Sequence, residues 1–131
     1  MGIPSITIDT HALIWYIDTD FNKRLSESAL QAIKEAEERG TIYIPIIVIM
    51  ESLDLIEKKR VNLTFSGLMS VIDKNLAYEI VSLDRAIIEA SLSLKGLEIH
   101  DRLIVATALV NNTALVCRDL AIKASGIKII W

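Results

Sequence analysis

Apolar positions along the chain fall into short continuous runs and longer stretches with helical spacing. The short runs predict β-strands at residues 5–8, 41–44, 80–83, 114–117 and 127–130. Apolar residues three or four positions apart predict helices at residues 12–17, 26–39, 46–60, 65–72, 85–95, 101–111 and 120–125. Candidate helix boundaries are the N-caps Ser26 and Asp84 and the C-terminal stops Gly40 and Gly96.

This regular alternation of strands and helices predicts an α/β fold. We expect three layers, with a mostly parallel central sheet covered by helices on both faces. The 131 residues contain no internal repeat, low-complexity segment or linker, so residues 1–131 are expected to form a single domain.

The helix at 46–60 is apolar nearly all round in its first half, so we expect it to be covered on both sides. Its main apolar stripe comprises Ile46, Ile49, Met50, Leu53 and Ile56.

The composition fits a globular protein, with 52% hydrophobic and 24% charged residues. A formal charge of −3 argues against a protein that binds duplex nucleic acid through many basic residues. It does not argue against an enzyme that binds phosphate through a metal ion. The single cysteine, Cys117, cannot form an internal disulfide, which favours the cytoplasm, and we expect it to be a small buried strand residue. No leader segment precedes the first strand, and the longest apolar run, 42–50, is too short for a bilayer, so no membrane association is expected.

Four acidic residues occupy positions that are expected to lie near the carboxyl ends of the strands, where parallel sheets usually bind ligands. Asp9 directly follows the first predicted strand, and Asp119 follows the fourth. If those strands are neighbours, both carboxylates project from one edge of the sheet. Asp101 is expected at a helix N-terminus that opens on the same edge, and Glu51 interrupts an apolar stretch where an unpaired carboxylate is costly.

Each acid also has a simpler interpretation. Asp9, Asp101 and Asp119 stand where an aspartate would cap a helix, and Glu51 lies off the apolar stripe, which is compatible with solvation. Four carboxylates in one pocket would instead repel one another unless protonated or bridged by a cation. A site made of oxygen ligands alone selects Mg²⁺ or Mn²⁺ over zinc. Without the four acids the formal charge would change from −3 to +1, so the excess negative charge of the protein is concentrated at this site.

The acidic motifs resemble those of PIN-domain proteins of the VapC toxin type. The opening at residues 8–15, IDTHALIW, is similar to the start of that family, and Glu51 resembles its helical glutamate. Residues 100–108, HDRLIVATA, and 115–119, LVCRD, resemble its third and fourth acidic motifs, and the ending at 126–131 is also family-like. The ordered set spans nearly the whole chain.

This resemblance implies a PIN-like domain that acts as a Mg²⁺- or Mn²⁺-dependent endoribonuclease. Asp9, Glu51, Asp101 and Asp119 would hold the metal, and hydrolysis would leave 5′-phosphate and 3′-hydroxyl ends. The resemblance further implies the toxin of a toxin–antitoxin pair, a homodimer that is blocked by a small antitoxin protein covering the acidic pocket.

Further residues near the acids are candidate substrate contacts. Thr10 could hydrogen-bond a substrate phosphate, although a local helix cap explains it equally well. Arg102 and Arg118 each adjoin a proposed ligand and could grip RNA phosphates, with local ion pairs as the alternative. We assign no general-base role to His11 or His100.

The chain departs from the family pattern at two places. Members often carry Asp-Pro-Phe before the Asp-Arg pair, whereas residues 98–100 are Glu-Ile-His. Cys117 stands where a Thr or Ser is usual, and a thiol is the poorer hydrogen-bond donor, so support of Asp119 is expected to differ.

Other functions remain open. A structure-specific DNA nuclease would use the same acids, but such enzymes normally carry further substrate-binding elements that this short chain lacks. Loss of one of the four acids would have favoured an inactive PIN-like scaffold or RNA-binding module, and none is lost. A phosphoaspartate receiver needs acids clustered after the first strand, and a haloacid-dehalogenase phosphatase needs an aspartate where His11 stands.

Overall fold

The structure, a computed structural model, describes residues 4–131, so the first three residues of the expected domain lie outside it. The strands are β1 (Ile6–Ile8), β2 (Ile42–Pro45), β3 (Tyr78–Val81), β4 (Ala114–Val116) and β5 (Ile129–Ile130). The α-helices are α1 (Thr10–Ile17), α2 (Glu27–Arg39), α3 (Ile46–Glu57), α4 (Phe65–Lys74), α5 (Arg85–Ala90), α6 (Ile99–Val110) and α7 (Leu120–Lys123). Short 3-10 helices follow α1 at Thr19–Arg24 and α5 at Ser91–Leu94.

The five strands form one parallel sheet in the order β3-β2-β1-β4-β5. Strand β1 is central, and Ile8 at its end lies opposite Val116 at the end of β4. The carboxyl ends of these two strands are therefore neighbours, which is the arrangement that the positions of Asp9 and Asp119 required.

Helices cover both faces of the sheet. The three residues of β1, Ile6 to Ile8, are all buried although consecutive side chains point to opposite faces. Helix α2 packs against β1, β2 and β5, and α6 packs against β1, β2 and β4. The predicted three-layer α/β architecture is confirmed.

Local capping explains where several elements begin and end. The Ser26 hydroxyl accepts a hydrogen bond from the Ala29 amide at 3.0 Å, as predicted for an N-cap. Gly40 ends α2 as predicted, and a Cβ there would lie 2.9 Å from the backbone of Pro4, so this close approach requires glycine.

Several element boundaries differ from the predictions by a few residues, and for three of them the structure shows what causes the difference or replaces the predicted element. Helix α3 ends at Glu57 instead of residue 60, because the chain turns through Lys59, whose φ is 57°. Strand β3 begins at Tyr78, two residues early, because Tyr78 pairs opposite Ile42 of β2. The predicted helix at 85–95 is α5 followed by a 3-10 turn.

Helix α3 is not covered on both sides, so that expectation was wrong. Its buried residues are Val48, Ile49 and Ser52, whereas Ile46 is 41% exposed and Met50 is 55% exposed. The apolar stripe of the sequence is therefore displaced from the face that meets the core, since the adjoining side of α3 borders an open cleft that Met50 lines. Within residues 4–131, no helix has both the length and the apolarity needed to cross a bilayer.

Candidate active site

Asp9 lies where β1 meets α1, at the carboxyl edge of the sheet. Its backbone amide donates to the Val116 carbonyl at 3.2 Å, which joins the ends of β1 and β4. One carboxylate oxygen, Oδ1, accepts from the Ala12 amide at 3.0 Å and so caps α1. The cap uses one oxygen, and Oδ2 accepts no hydrogen bond from any residue within 4–131.

Asp119 and Asp101 approach the same edge from two other segments. Asp119 is exposed in the turn before α7, and its Oδ1 accepts from the Ala121 amide at 2.8 Å. Asp101 does not cap α6, contrary to the simpler interpretation, because Glu98 caps it instead through the amides of His100 and Asp101. Asp101 lies in the first turn of α6, half-buried and with its own carboxylate free of capping.

Glu51 joins three helices through its two carboxylate oxygens. Oε1 accepts from the hydroxyl of buried Thr10 in α1 at 2.6 Å. Oε2 lies 3.3 Å from His100 Nδ1 in α6. The Thr10 hydroxyl donates its hydrogen to Glu51 and so orients that carboxylate, and within residues 4–131 it does not form the local helix cap that was the alternative to a contact with a substrate phosphate.

All four predicted acids line one cleft of about 840 Å³. Burial is the main cause that raises the pKa of Asp9 to about 7; the hydrogen bond from the Ala12 amide opposes this rise, and the charges of the other three carboxylates add to it. Burial, followed by the charges of Asp119, Glu98 and Glu51, raises the pKa of Asp101 to about 6. The carboxylates of this cleft therefore destabilise one another's charged forms.

The oxygen atoms of these carboxylates suit a hard divalent cation, although the protein does not present a complete, preformed set of metal ligands within the described residues. In the part of the chain that the structure describes, no three His, Cys, Asp or Glu side chains are already close enough to ligate one ion. Magnesium needs no such preformed set, since it keeps several waters and is commonly bound by one or two carboxylates together with phosphate oxygens. No lysine or arginine within residues 4–131 pairs with any of the four acids, so no ion pair with either residue type offsets the repulsion between the carboxylates.

A cationic and aromatic group lines another part of the cleft. The guanidinium carbon of Arg118 lies 5.0 Å from the ring centre of buried Trp15, and that of Arg24 lies 5.8 Å from the same ring. Arg24 also lies 4.9 Å from the Phe21 ring, and Trp131 meets Trp15 edge-on at 6.0 Å. Arg118 thus lies in the cleft, and among the described residues it does not form the local ion pair that was its alternative explanation.

Arg102 is outside the cleft, so its predicted contact with RNA phosphates is not supported. Its terminal nitrogen donates to the carbonyl of Ser91 at 2.9 Å, and its Nε is buried without a hydrogen-bond partner in the described residues. The residue therefore ties α6 to the turn after α5.

Of the two arginines that line the cleft, Arg24 is the one that the sequence analysis did not predict. It ends a 3-10 helix whose residues show neither strand nor α-helical periodicity. The only signal was a pair of basic residues, Lys23 and Arg24, shortly after the first helix.

Cys117 is fully buried, as expected, but it follows β4 and is not part of the strand, which ends at Val116. Burial, followed by the charge of Asp9, raises the pKa of its thiol to about 12. Because the thiolate is the reactive form, native Cys117 should not react with a thiol reagent at about pH 8. The measurement compares the rate at which the thiol reagent modifies the folded protein with the rate in urea, where one thiol per chain should react. Equal rates in the two conditions would contradict the burial of Cys117.

The chain belongs to the PIN domain family, whose model matches residues 6–126. Members of this family are nucleases that generally use divalent metal ions. No curated protein matches the chain.

Solved structures share the fold at low identity. VapBC2 from Rickettsia felis, crystallised with a DNA fragment from its promoter, is 19% identical, with a TM-score of 0.69 over 95% of this chain and 96% of that one. FitAcB from Neisseria gonorrhoeae is 15% identical, with a TM-score of 0.62 over 95% of each chain. A toxin–antitoxin complex from Klebsiella pneumoniae is 21% identical, with a TM-score of 0.57 over 87% of this chain and 86% of that one.

Proposed function

We propose that this protein is a Mg²⁺- or Mn²⁺-dependent endoribonuclease that hydrolyses RNA phosphodiesters. The observation that carries the proposal is the convergence of Asp9, Glu51, Asp101 and Asp119 on one cleft, with no lysine or arginine of residues 4–131 pairing with them. Such a cleft attracts a hard cation and, with it, a phosphate group.

The residues of the cleft have distinct tasks in this proposal. A bound divalent ion supplies Lewis acidity toward the phosphodiester and the attacking water. Asp9 and Asp101, the acids with raised pKa, would bind the ion together with Asp119 and thereby lose their protons. Glu51 completes the set, held in orientation by Thr10 and His100. Arg118 would bind a substrate phosphate from the wall of the cleft.

We further propose that the protein is a cytoplasmic toxin whose cleft is blocked by a small antitoxin. The support is the shared fold with chains of toxin–antitoxin complexes.

Exposed apolar side chains on and near α5 and α6, namely Ile88, Leu92 and Ile99, support a protein partner or a homodimer. Light scattering of the purified chain tests the homodimer, and a monomer at all concentrations would remove it.

Purified protein should cleave RNA in the presence of Mg²⁺ or Mn²⁺, and cleavage should stop when EDTA is added. Without a bound cation, the four carboxylates would repel the phosphate of the substrate. The measurement is the appearance of fragments from a labelled single-stranded RNA, with the matching DNA as a parallel substrate. Cleavage of DNA but not RNA would instead support a DNA nuclease. Cleavage that persists in EDTA would contradict a metal-dependent site.

A further inference from the structure

Trp15 organises the cationic part of the cleft, and we call Trp15, Arg24 and Arg118 the tryptophan platform. Trp15 is only 7% exposed, held in the core beside Trp131. Both arginines are exposed, yet their guanidinium groups lie within 6 Å of its ring. Attraction between a cation and an aromatic ring at such a distance restricts the arginine without using its hydrogen-bond donors.

The donors of both guanidinium groups are available to a ligand. Within residues 4–131, neither Arg24 nor Arg118 forms an ion pair within 4.0 Å or donates a side-chain hydrogen bond. The contrast with Arg102 is clear, since that guanidinium is tied to a backbone carbonyl. Two guanidinium groups within 6 Å of one ring centre concentrate positive charge in this part of the cleft, and that charge favours an anionic ligand.

We propose that the tryptophan platform is a phosphate clamp, in which Arg24 and Arg118 together bind an RNA backbone phosphate adjacent to the bond that is cut. The inference rests on the proposed ribonuclease function, because it assigns the part of the same cleft that holds the substrate. Guanidinium is planar and offers paired donors that match phosphate oxygens. Trp15 is a positioning residue that acts through the two arginines.

RNA fits this clamp better than an acidic peptide does. The platform and the four acids line the same cleft, so a chain bearing a phosphate at each nucleotide can place one phosphate at each part. An acidic peptide could offer carboxylates to the two arginines, but it has no phosphodiester to place at the four acids. The net charge of −3 also means that attraction of RNA must come from a local group of cations.

Arg24→Ala tests the clamp because Arg24 is exposed and outside the acidic site. The measurement is binding of a fluorescein-labelled oligouridylate by anisotropy in EDTA, where metal-dependent cleavage is absent, over a range of salt concentrations. Loss of one phosphate contact should lower affinity about fivefold at about 0.1 M salt and reduce the slope of log affinity against log salt by about 0.7. Arg24→Lys should fall between wild type and Arg24→Ala, since it keeps the charge but loses the paired donors.

Arg39→Ala is the matched control, because it removes one exposed arginine from the surface at the end of α2, outside the cleft. Equal effects of Arg24→Ala and Arg39→Ala would overturn the clamp, and so would equal competition by polyglutamate and unlabelled oligouridylate. Metal-dependent RNA cleavage alongside either result would leave the proposed function standing. Conversely, Arg24-dependent RNA binding by a protein that cleaves no RNA would support the clamp and remove the ribonuclease.

Discussion

Replacement of Asp9 by asparagine should lower RNA cleavage by about two to three orders of magnitude while the protein stays folded. The amide is neutral and binds a hard cation far less well than a carboxylate does. The fold should tolerate the change because asparagine caps helices as well as aspartate, and the cap uses only the oxygen that faces the Ala12 amide. The measurement is the initial rate of cleavage in saturating Mg²⁺, with the melting temperature recorded for the same preparation.

Asp84→Asn is the matched control for this experiment. Asp84 also follows a parallel strand, β3, and caps α5 through the Ile87 amide at 3.0 Å, the same distance as at Asp9. It does not line the cleft. Asp84→Asn should therefore cleave RNA at the wild-type rate, and equal activity of both variants would show that Asp9 has only a capping role.

In the absence of metal, the protein should lose stability as the pH rises from about 4 to about 7, and Asp9 should account for much of the loss. The folded state raises the pKa of Asp9 from 3.8 to about 7, so between these values the folded chain holds a proton that the unfolded chain releases. The resulting stabilisation is complete at low pH and disappears as the pH rises to about 7. Relative to Asp9→Asn, wild type should lose on the order of 3 kcal/mol of unfolding free energy between about pH 5 and pH 8.

Urea unfolding in EDTA at several pH values measures this difference, with Asp84→Asn again as the control. Asp9→Asn carries no charge at this position, so its own stability should depend less on pH. Saturating Mg²⁺ should flatten the wild-type profile, since bound cation stabilises the charged carboxylates. Parallel pH profiles for wild type and Asp9→Asn in EDTA would contradict the electrostatic coupling within the cleft.

The sequence predicted the element order and the sheet class because both depend on local patterning. Strands separated by helices leave few alternatives to a parallel sheet, and Asp9 and Asp119 follow strands that turned out to be neighbours. Caps such as Ser26 and Gly40 were also readable, since each acts within a few residues of its own position.

Features that depend on pairing and packing between distant segments were not predictable from local patterns. The start of β3 is set by its partner β2, and the exposure of Ile46 and Met50 depends on where α3 meets the cleft. Arg24 reaches the site only because the 3-10 turn brings it to Trp15. Arg102, which adjoins Asp101 in sequence, is directed away from it by the Ser91 carbonyl.

The pairing of β1 with β4 also has a consequence during synthesis of the chain. The first acid of the cleft is residue 9 and the last is residue 119, and the strands that carry them are joined edge to edge. A ribosome that has released only the first hundred residues therefore carries a nascent chain whose cleft cannot yet exist. Under the proposed function, the long sequence separation of this contact keeps the nuclease silent toward the messenger RNA that encodes it until the segment that carries Asp119 has left the ribosome.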